Sequence, residues 1–318
     1  MPARGEGEVL LKILRVGLCG TDYHIFTGTQ PYLSYPRVIG HELAGEVIEA
    51  DPGSNVAIGT IVTVNPYIAC GACIACRKGK PNCCAAISVL GVHADGGLCD
   101  YLCVPDSAVI PAEGLTVDQA AMVEFLSVGA HAVARGAIES GDQVLVVGAG
   151  PIGVAAALFA TMRGGRVTLI ERDAARAAYA RNHLGIGGTL IAGEDIDARL
   201  AAMTDGQFFD CVFDATGNAQ AIRKGLDYVA HGGRYVLISV VKDDISFSDP
   251  EFHKRETTLI GSRNATHEDF AHVIECIRSG TIDTRTLNTQ QIAVRNIVKD
   301  FPKLLADQSS VLKAIVSF

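Results

Sequence analysis

The sequence predicts an α/β protein made of a β-rich domain and a doubly wound parallel sheet, and three observations predict it. Between Gln143 and Gly261 short apolar runs alternate with helical stretches, the pattern of βαβ units that feed a parallel sheet. Residues 1–124 are instead rich in β-branched residues, glycines and turn signals, which points to an antiparallel or barrel-like domain. The chain of 318 residues is longer than one typical domain, and with 48% hydrophobic residues it can fill two cores.

The expected strands of the second region are 144–147, 167–170, 189–192, 211–214, 235–239 and 258–260, each a short apolar run between turn residues. Helix-like segments lie between them at 152–162, 174–183 and 219–230. The uncharged stretch from Val144 to Met162 is long enough to suggest a membrane span. Its start, QVLVVGAGPIG, carries three glycines and a proline, so it reads as strand, tight turn and helix.

Gly148, Gly150 and Gly153 form G-x-G-x-x-G directly after a strand and at the mouth of a helix. The first glycine permits the turn, the second lets the backbone approach a pyrophosphate, and the third allows close helix–strand packing. Pro151 and Ile152 open the helix whose N-terminal amides receive the diphosphate. The next strand ends at Glu171, where a carboxylate can hydrogen-bond the adenosine ribose hydroxyls. Together these features predict a Rossmann domain that binds NAD, because the charge of Glu171 would repel the 2′-phosphate of NADP. Arg172 follows and could either engage such a phosphate or simply face solvent. Asp214, Ala215, Thr216 and Gly217 end a later strand at the same sheet edge, and Thr216 is placed on the cofactor wall.

Cys70, Cys73, Cys76 and Cys84 stand at C-x2-C-x2-C-x7-C. Short intervals let consecutive thiolates wrap one ion, and the last gap returns the chain to close a tetrahedral shell. Gly71, Gly79 and Pro81 supply the turns. A closed four-thiolate shell has no open position, so its zinc is structural and the chemistry lies elsewhere. Ten cysteines with no signal-peptide-like start suggest a reducing cytoplasm, where thiols bind metal rather than pair. The net charge of -8 argues against nucleic acid or an anionic membrane as partner.

A second set is dispersed. Cys19 sits in GLCGTDYH, His41 and Glu42 in GHELAGEV, and Glu124 in VEFLSVGAHA. One thiolate, one imidazole and one or two carboxylates suit a zinc that keeps a position open, although sequence separation alone does not bring them together. The motifs CGTDYH, GHE-x2-G, the four-cysteine lobe, VE-x-LSVGAHA and VGAGPIG occur in the order found in zinc-dependent medium-chain dehydrogenases, which the whole chain resembles. It looks most like the polyol and sugar-acid branch, with sorbitol, threonine, galactonate and idonate dehydrogenases. LGVHADGG and GSRNAT-x-EDF are similar to the sugar-acid members in particular.

That resemblance implies a GroES-like catalytic domain from residues 1–124 and 266–318 around a Rossmann domain at 125–265, with two zinc ions per chain and NAD. It implies Cys19 and His41 as catalytic zinc ligands, with Glu42 and Glu124 sharing the remaining position, directly or through water. Asp22 matches the carboxylate that orients the ligand histidine, and Thr21 and His24 match a proton relay. Asn264 is assigned to the cofactor, and Phe26, Tyr32, Tyr67, His93 and Asn264 are candidates for the substrate cleft. The implied reaction moves hydride between a secondary alcohol of a polyol or sugar acid and NAD, in a cytoplasmic homodimer or homotetramer. Family members carry further residues before the segment GEGEVLLKILRVGLCG, so a chain extended upstream is expected to melt higher. Cys83, Cys99, Cys103, Cys211 and Cys276 carry no assigned role, and His131 reads as a core histidine on an apolar helix.

Overall fold

The structure is a computed structural model that describes residues 1–30, 33–307 and 309–318. The strands run, in chain order, β1 (Glu8–Leu18), β2 (Glu42–Glu49), β3 (Ile61–Val64), β4 (Tyr67–Ile68), β5 (Ser88–Val89), β6 (Tyr101–Pro105), β7 (Val109–Pro111), β8 (Gln143–Val147), β9 (Arg166–Glu171), β10 (Gly188–Ile191), β11 (Phe209–Asp214), β12 (Val229–Leu237), β13 (Thr258–Gly261), β14 (Asn288–Ala293) and β15 (Lys313–Ser317). The helices are α1 (Gly20–Phe26), α2 (Ile74–Arg77), α3 (Val117–Ala120), α4 (Val123–Gly136), α5 (Pro151–Met162), α6 (Ala174–His183), α7 (Ile196–Met203), α8 (Ala219–Gly225), α9 (Asp249–Arg255), α10 (His267–Arg278) and α11 (Ile297–Ala306). They form two compact units, one of residues 1–127 and 264–318, the other of residues 128–263.

The first unit is built on a seven-stranded sheet ordered β14-β15-β1-β2-β3-β7, with β6 also on β1. β1 is long enough to pair β2 along one edge while its two halves pair β6 and β15 on the other. Val9, Leu11, Ile13 and Val16 of β1 meet Leu43, Val47, Val62, Val104 and Val316 in one buried cluster. Burial of this kind stabilises by roughly 25 cal/mol per Å² of apolar surface. The consequence for function is that β1 fixes the positions of the segments on both sides of it. α1 follows β1 directly and carries Cys19 as its N-cap, and β2 begins with Glu42 immediately after His41.

The second unit is a six-stranded sheet ordered β10-β9-β8-β11-β12-β13, with every neighbouring pair parallel. In terms of the unit's own strands this is 3-2-1-4-5-6, the doubly wound order, and its direction reverses between β8 and β11. Leu145, Ile170, Phe209, Val212, Ile222 and Tyr235 share its core. The uncharged stretch 144–162 is β8, a glycine turn and α5, not a membrane span. No helix among the described residues is long and apolar enough to cross a membrane.

Two expected boundaries move. The helix expected over 219–230 stops at Gly225, passes through a tight 3₁₀ turn at Leu226–Tyr228, and gives way to β12 at Val229. The cause is tertiary: a Cβ at Gly225 would lie 2.2 Å from the Tyr235 hydroxyl, which bonds the Ile222 carbonyl. β12 also starts earlier than the apolar run 235–239, because a register shift around the left-handed Gly232 lets Val229 pair Phe209. α7 and α9 lie outside the helical stretches expected from the sequence.

Candidate metal and cofactor sites

The four lobe cysteines converge. Cys70, Cys73, Cys76 and Cys84 place their sulfur atoms within 4.8 Å of one another, and exposed Cys83 is not among them. Cys73 is the N-cap of α2 and Cys76 lies within it, while a 3₁₀ turn opened by Pro81 delivers the buried Cys84. Backbone N–H groups of Cys76 and Ala85 pull the Cys73 thiol down to about 6, whereas desolvation pushes Cys76 up to about 12. Four thiols this close cannot all ionise unaided, and a divalent cation is what reconciles them, so the residues fit zinc.

The dispersed set also converges, wholly within the first unit. Cys19, Asp22 and His41 place ligand atoms within 4.8 Å of one another, and so do His41, Glu42 and Glu124. His41 Nε2 stands 3.2 Å from Cys19 Sγ, close to the separation of about 3.5 Å that two ligands of one tetrahedral zinc require. Burial alone would lower the His41 pKa, but Cys19, Asp22 and Glu124 around it push it up. Glu124, in the first turn of α4, is pushed up to about 7 by desolvation. Such a site collects negative charge and buries it, which suits a dication.

Asp22 accepts from the backbone N–H of Cys19 at 2.9 Å and of Gly40 at 3.2 Å. Its carboxylate is 3.9 Å from His41 Nδ1, beyond hydrogen-bond reach, and Nδ1 has no partner. Asp22 therefore clamps the segments that carry Cys19 and His41 through their main chains. Thr21 donates its backbone N–H to Cys19 Sγ, and the exposed His24 bonds Thr29 Oγ1 through Nδ1 at 2.9 Å. The Thr21 hydroxyl and the His24 ring lie on one short helix and are not bonded to each other. Tyr67 donates to Glu124. Phe26 stacks on Phe301 at 4.9 Å, and His93 Nδ1 accepts from the Val89 N–H. Tyr32 lies outside the described residues.

In the second unit the three glycines differ as the motif requires. Gly148 has φ +100°, which only glycine adopts readily. A Cβ on Gly153 would lie 1.8 Å from the Gly148 carbonyl oxygen, and one on Gly150 would meet nothing within 4 Å. Gly150 is the N-cap of α5, with Pro151 and Ile152 next, so the open face is a helix N-terminus. Glu171 is buried, and its two oxygens accept from the N–H groups of Ala149 at 2.8 Å and Asp173 at 2.9 Å. Arg172 is exposed. The Thr216 hydroxyl is engaged with Asp214, and Asn264, at φ +56°, donates to the Asn82 carbonyl of the cysteine lobe at 3.1 Å.

Residues 5–114 match the alcohol dehydrogenase GroES-like domain family and residues 151–279 match the zinc-binding dehydrogenase family. L-galactonate-5-dehydrogenase of Escherichia coli strain K12 is 42% identical over 100% of this chain and 94% of its own. The chain is a zinc-dependent medium-chain dehydrogenase. This dehydrogenase is also 30% identical to the sorbitol dehydrogenase of Halalkalibacterium halodurans, over 92% of this chain and 87% of that one. Among solved structures it superposes on the RspB alcohol dehydrogenase of Escherichia coli CFT073 complexed with NADH, with TM-score 0.92 and 28% identity, covering 100% of this chain and 94% of that one. A zinc-binding dehydrogenase of Sinorhizobium meliloti bound to NADP gives TM-score 0.90 at 25% identity, covering 100% and 94%. The fold is the GroES-like and Rossmann pair, and the dehydrogenase uses zinc and a nicotinamide dinucleotide.

Sequence reasoning missed one residue beside the candidate metal site. Lys313 of β15 is 1% exposed and its Nζ lies 2.6 and 2.7 Å from the Glu42 oxygens. It also donates to the Leu18 carbonyl and sits 4.4 Å from the centre of the Phe125 ring. The only signal was a lone lysine inside the apolar run SVLKAIVSF. Gly17 belongs to the same arrangement, since a Cβ there would lie 2.1 Å from Glu42 Oε2.

Proposed function

We propose that this dehydrogenase oxidises a secondary alcohol of a sugar acid at the expense of NAD, with Cys19, His41 and Glu124 holding the catalytic zinc. The observation that carries the site is the convergence of Cys19, His41, Glu42 and Glu124 in one buried cluster. Glu124 ranks ahead of Glu42 as resting ligand on energetic grounds. Glu42 is tied to a buried ammonium, and pulling it away would strand that charge at a cost of several kcal/mol. Glu124 is tied only to the neutral Tyr67 hydroxyl, a bond of about 1.5–3 kcal/mol. Glu42 then stays paired with Lys313 beside the metal.

Bound zinc supplies Lewis acidity that lowers the substrate hydroxyl pKa, and the nicotinamide accepts the hydride. The protein's own residues do the rest. Asp22 holds the Cys19 and His41 segments at fixed separation. The Thr21 hydroxyl, two residues after Cys19, would relay the released proton by accepting it and giving up its own, and exposed His24, with one ring nitrogen not bonded to Thr29, would be the group that hands a proton to solvent. The four-cysteine lobe holds the second zinc as a structural staple.

Support for the substrate class is the likeness to L-galactonate-5-dehydrogenase, joined by 2-dehydro-3-deoxy-L-galactonate 5-dehydrogenase of Pseudoalteromonas atlantica at 31% identity over 82% of its length. A polyol is the neighbouring class, through the sorbitol dehydrogenases. NAD is favoured over NADP by the buried carboxylate of Glu171. The reading includes a homodimer or homotetramer, supported by β13, which ends its sheet with Leu259 41% exposed. It also includes a cytoplasmic location, supported by ten free cysteines.

The experiment is zinc per chain on protein purified under reducing conditions, followed by NADH formation on a panel of L-galactonate, sorbitol and L-threonine. About two zinc ions and fastest turnover of the sugar acid are expected. Cys19→Ser should then remove one ion and all turnover while NADH binding stays. Turnover retained in Cys19→Ser would overturn the site, and preference for threonine would overturn the substrate class.

A further inference from the structure

Beside the glycine turn, the carboxyl ends of β11 and β12 are joined by one buried carboxylate. Asp214, the last residue of β11, is 0% exposed. Its Oδ1 accepts from the Thr216 N–H at 3.1 Å, the Thr216 hydroxyl at 3.1 Å and the Ser239 hydroxyl at 2.8 Å. Its backbone carbonyl accepts from the Ile238 N–H at 3.0 Å. Thr216 Oγ1 in turn accepts from the Asn218 N–H, and Asn218 Oδ1 caps α8 through the Ala221 N–H. The Thr216 hydroxyl is thus committed to the protein on both sides.

On its other side the same loop touches the dinucleotide turn. The Ala215 N–H donates to the Val147 carbonyl at 2.9 Å, and a Cβ on Gly148 would stand 3.2 Å from the Ala215 carbonyl oxygen. The contacts run without a break from the glycine turn, through residues 215–217 and Asp214, to Ser239. No lysine or arginine among the described residues is paired with Asp214, and burial pushes its pKa up. A buried carboxylate without a counter-ion is an expensive way to fill space. Its three donors come from two different loops, and both loops lie at the sheet edge where doubly wound proteins bind nucleotides.

We infer that Asp214 is a positioning residue for the dinucleotide: it locks the loop after β11 to the loop after β12, so that the wall beside the glycine turn is rigid before the cofactor arrives. Preorganisation of this kind raises affinity by removing the ordering cost from the binding step. The inference rests on dinucleotide binding, and is independent of the metal ligands and the substrate.

The test is an NADH titration followed by fluorescence, on zinc-loaded wild type, Asp214→Asn, Ser239→Ala, Thr216→Val and the Ser239→Ala/Thr216→Val double variant. Asp214→Asn should raise the NADH Kd about tenfold, with zinc content unchanged. Hydrogen exchange at residues 215–217 and 238–239 should accelerate in the free variant and return toward wild type when NADH saturates it. Ser239→Ala and Thr216→Val should each weaken binding, and the double variant no more than the stronger single, because each cuts the same link. Wild-type affinity in Asp214→Asn, or additive losses in the double variant, would overturn the inference. Should Asp214→Asn fail to fold, Ser239→Ala with wild-type affinity and exchange would overturn it equally. Wild type that itself binds no NADH would instead strike at the dinucleotide reading.

Discussion

Lys313 and Glu42 form an ion pair at 2.6 Å between two side chains that are each fully out of solvent, 271 residues apart in the chain. It joins the last strand to the residue after His41. The desolvation of two such charges is offset only by their mutual contact and by the Leu18 carbonyl and Phe125 ring around the ammonium. The pair therefore sets where the Glu42 carboxylate rests.

Lys313→Met should strand the Glu42 charge and destabilise the first unit by about 3–5 kcal/mol. Adding Glu42→Gln should recover most of that loss, since the uncompensated charge is then gone. Urea unfolding of the two variants measures both numbers. A single variant as stable as wild type would mean that Glu42 finds another partner.

The glycine turn allows packing to be separated from binding. Gly150→Ala adds a methyl into open space and should leave the melting temperature unchanged while weakening NADH binding at least tenfold. Gly153→Ala drives a methyl into the Gly148 carbonyl, and should lower the melting temperature as well. Equal melting of the two would refute the assignment of their roles.

Cys84→Ser should take zinc from about two ions per chain to about one, lowering thermal stability. Cys83→Ser, one residue away and exposed, should keep both ions. Metal analysis beside a thermal scan distinguishes them.

Asp214 gives a pH dependence whose sign is fixed by its burial. Its folded pKa lies above its unfolded one, so the folded state holds the proton more tightly and ionisation costs stability. Relative to Asp214→Asn, wild type should lose stability as pH rises from about 4, the unfolded value, through the raised folded value, and stay level above it. Urea midpoints for both proteins across that range report it, and a wild type that gains stability relative to Asp214→Asn as pH rises would contradict the sign.

Much of this was legible in the chain because it is local. The lobe cysteines fall within fifteen residues of sequence, so spacing alone singles out the set that converges. The turn Gly148–Gly153 is likewise one strand–turn–helix, and its φ values and clearances follow from the residue types. What stayed hidden was whatever depends on distant neighbours. The early end of α8 at Gly225 is imposed by Tyr235, a strand away. The Thr216 hydroxyl donates to Asp214, a contact no local pattern in the sequence marks.

By itself, then, the sequence determined the two architectures, the four-thiolate lobe and the dinucleotide turn. In each, hydrogen-bond geometry and side-chain period act over a few residues, and the chain needs no remote partner to express them. Only tertiary structure decided the pairing of Glu42 with Lys313 and the linkage of Asp214 to Ser239. Those depend on which charge or hydroxyl is buried against which carboxylate, and burial is set by how strands far apart in sequence come together in a sheet.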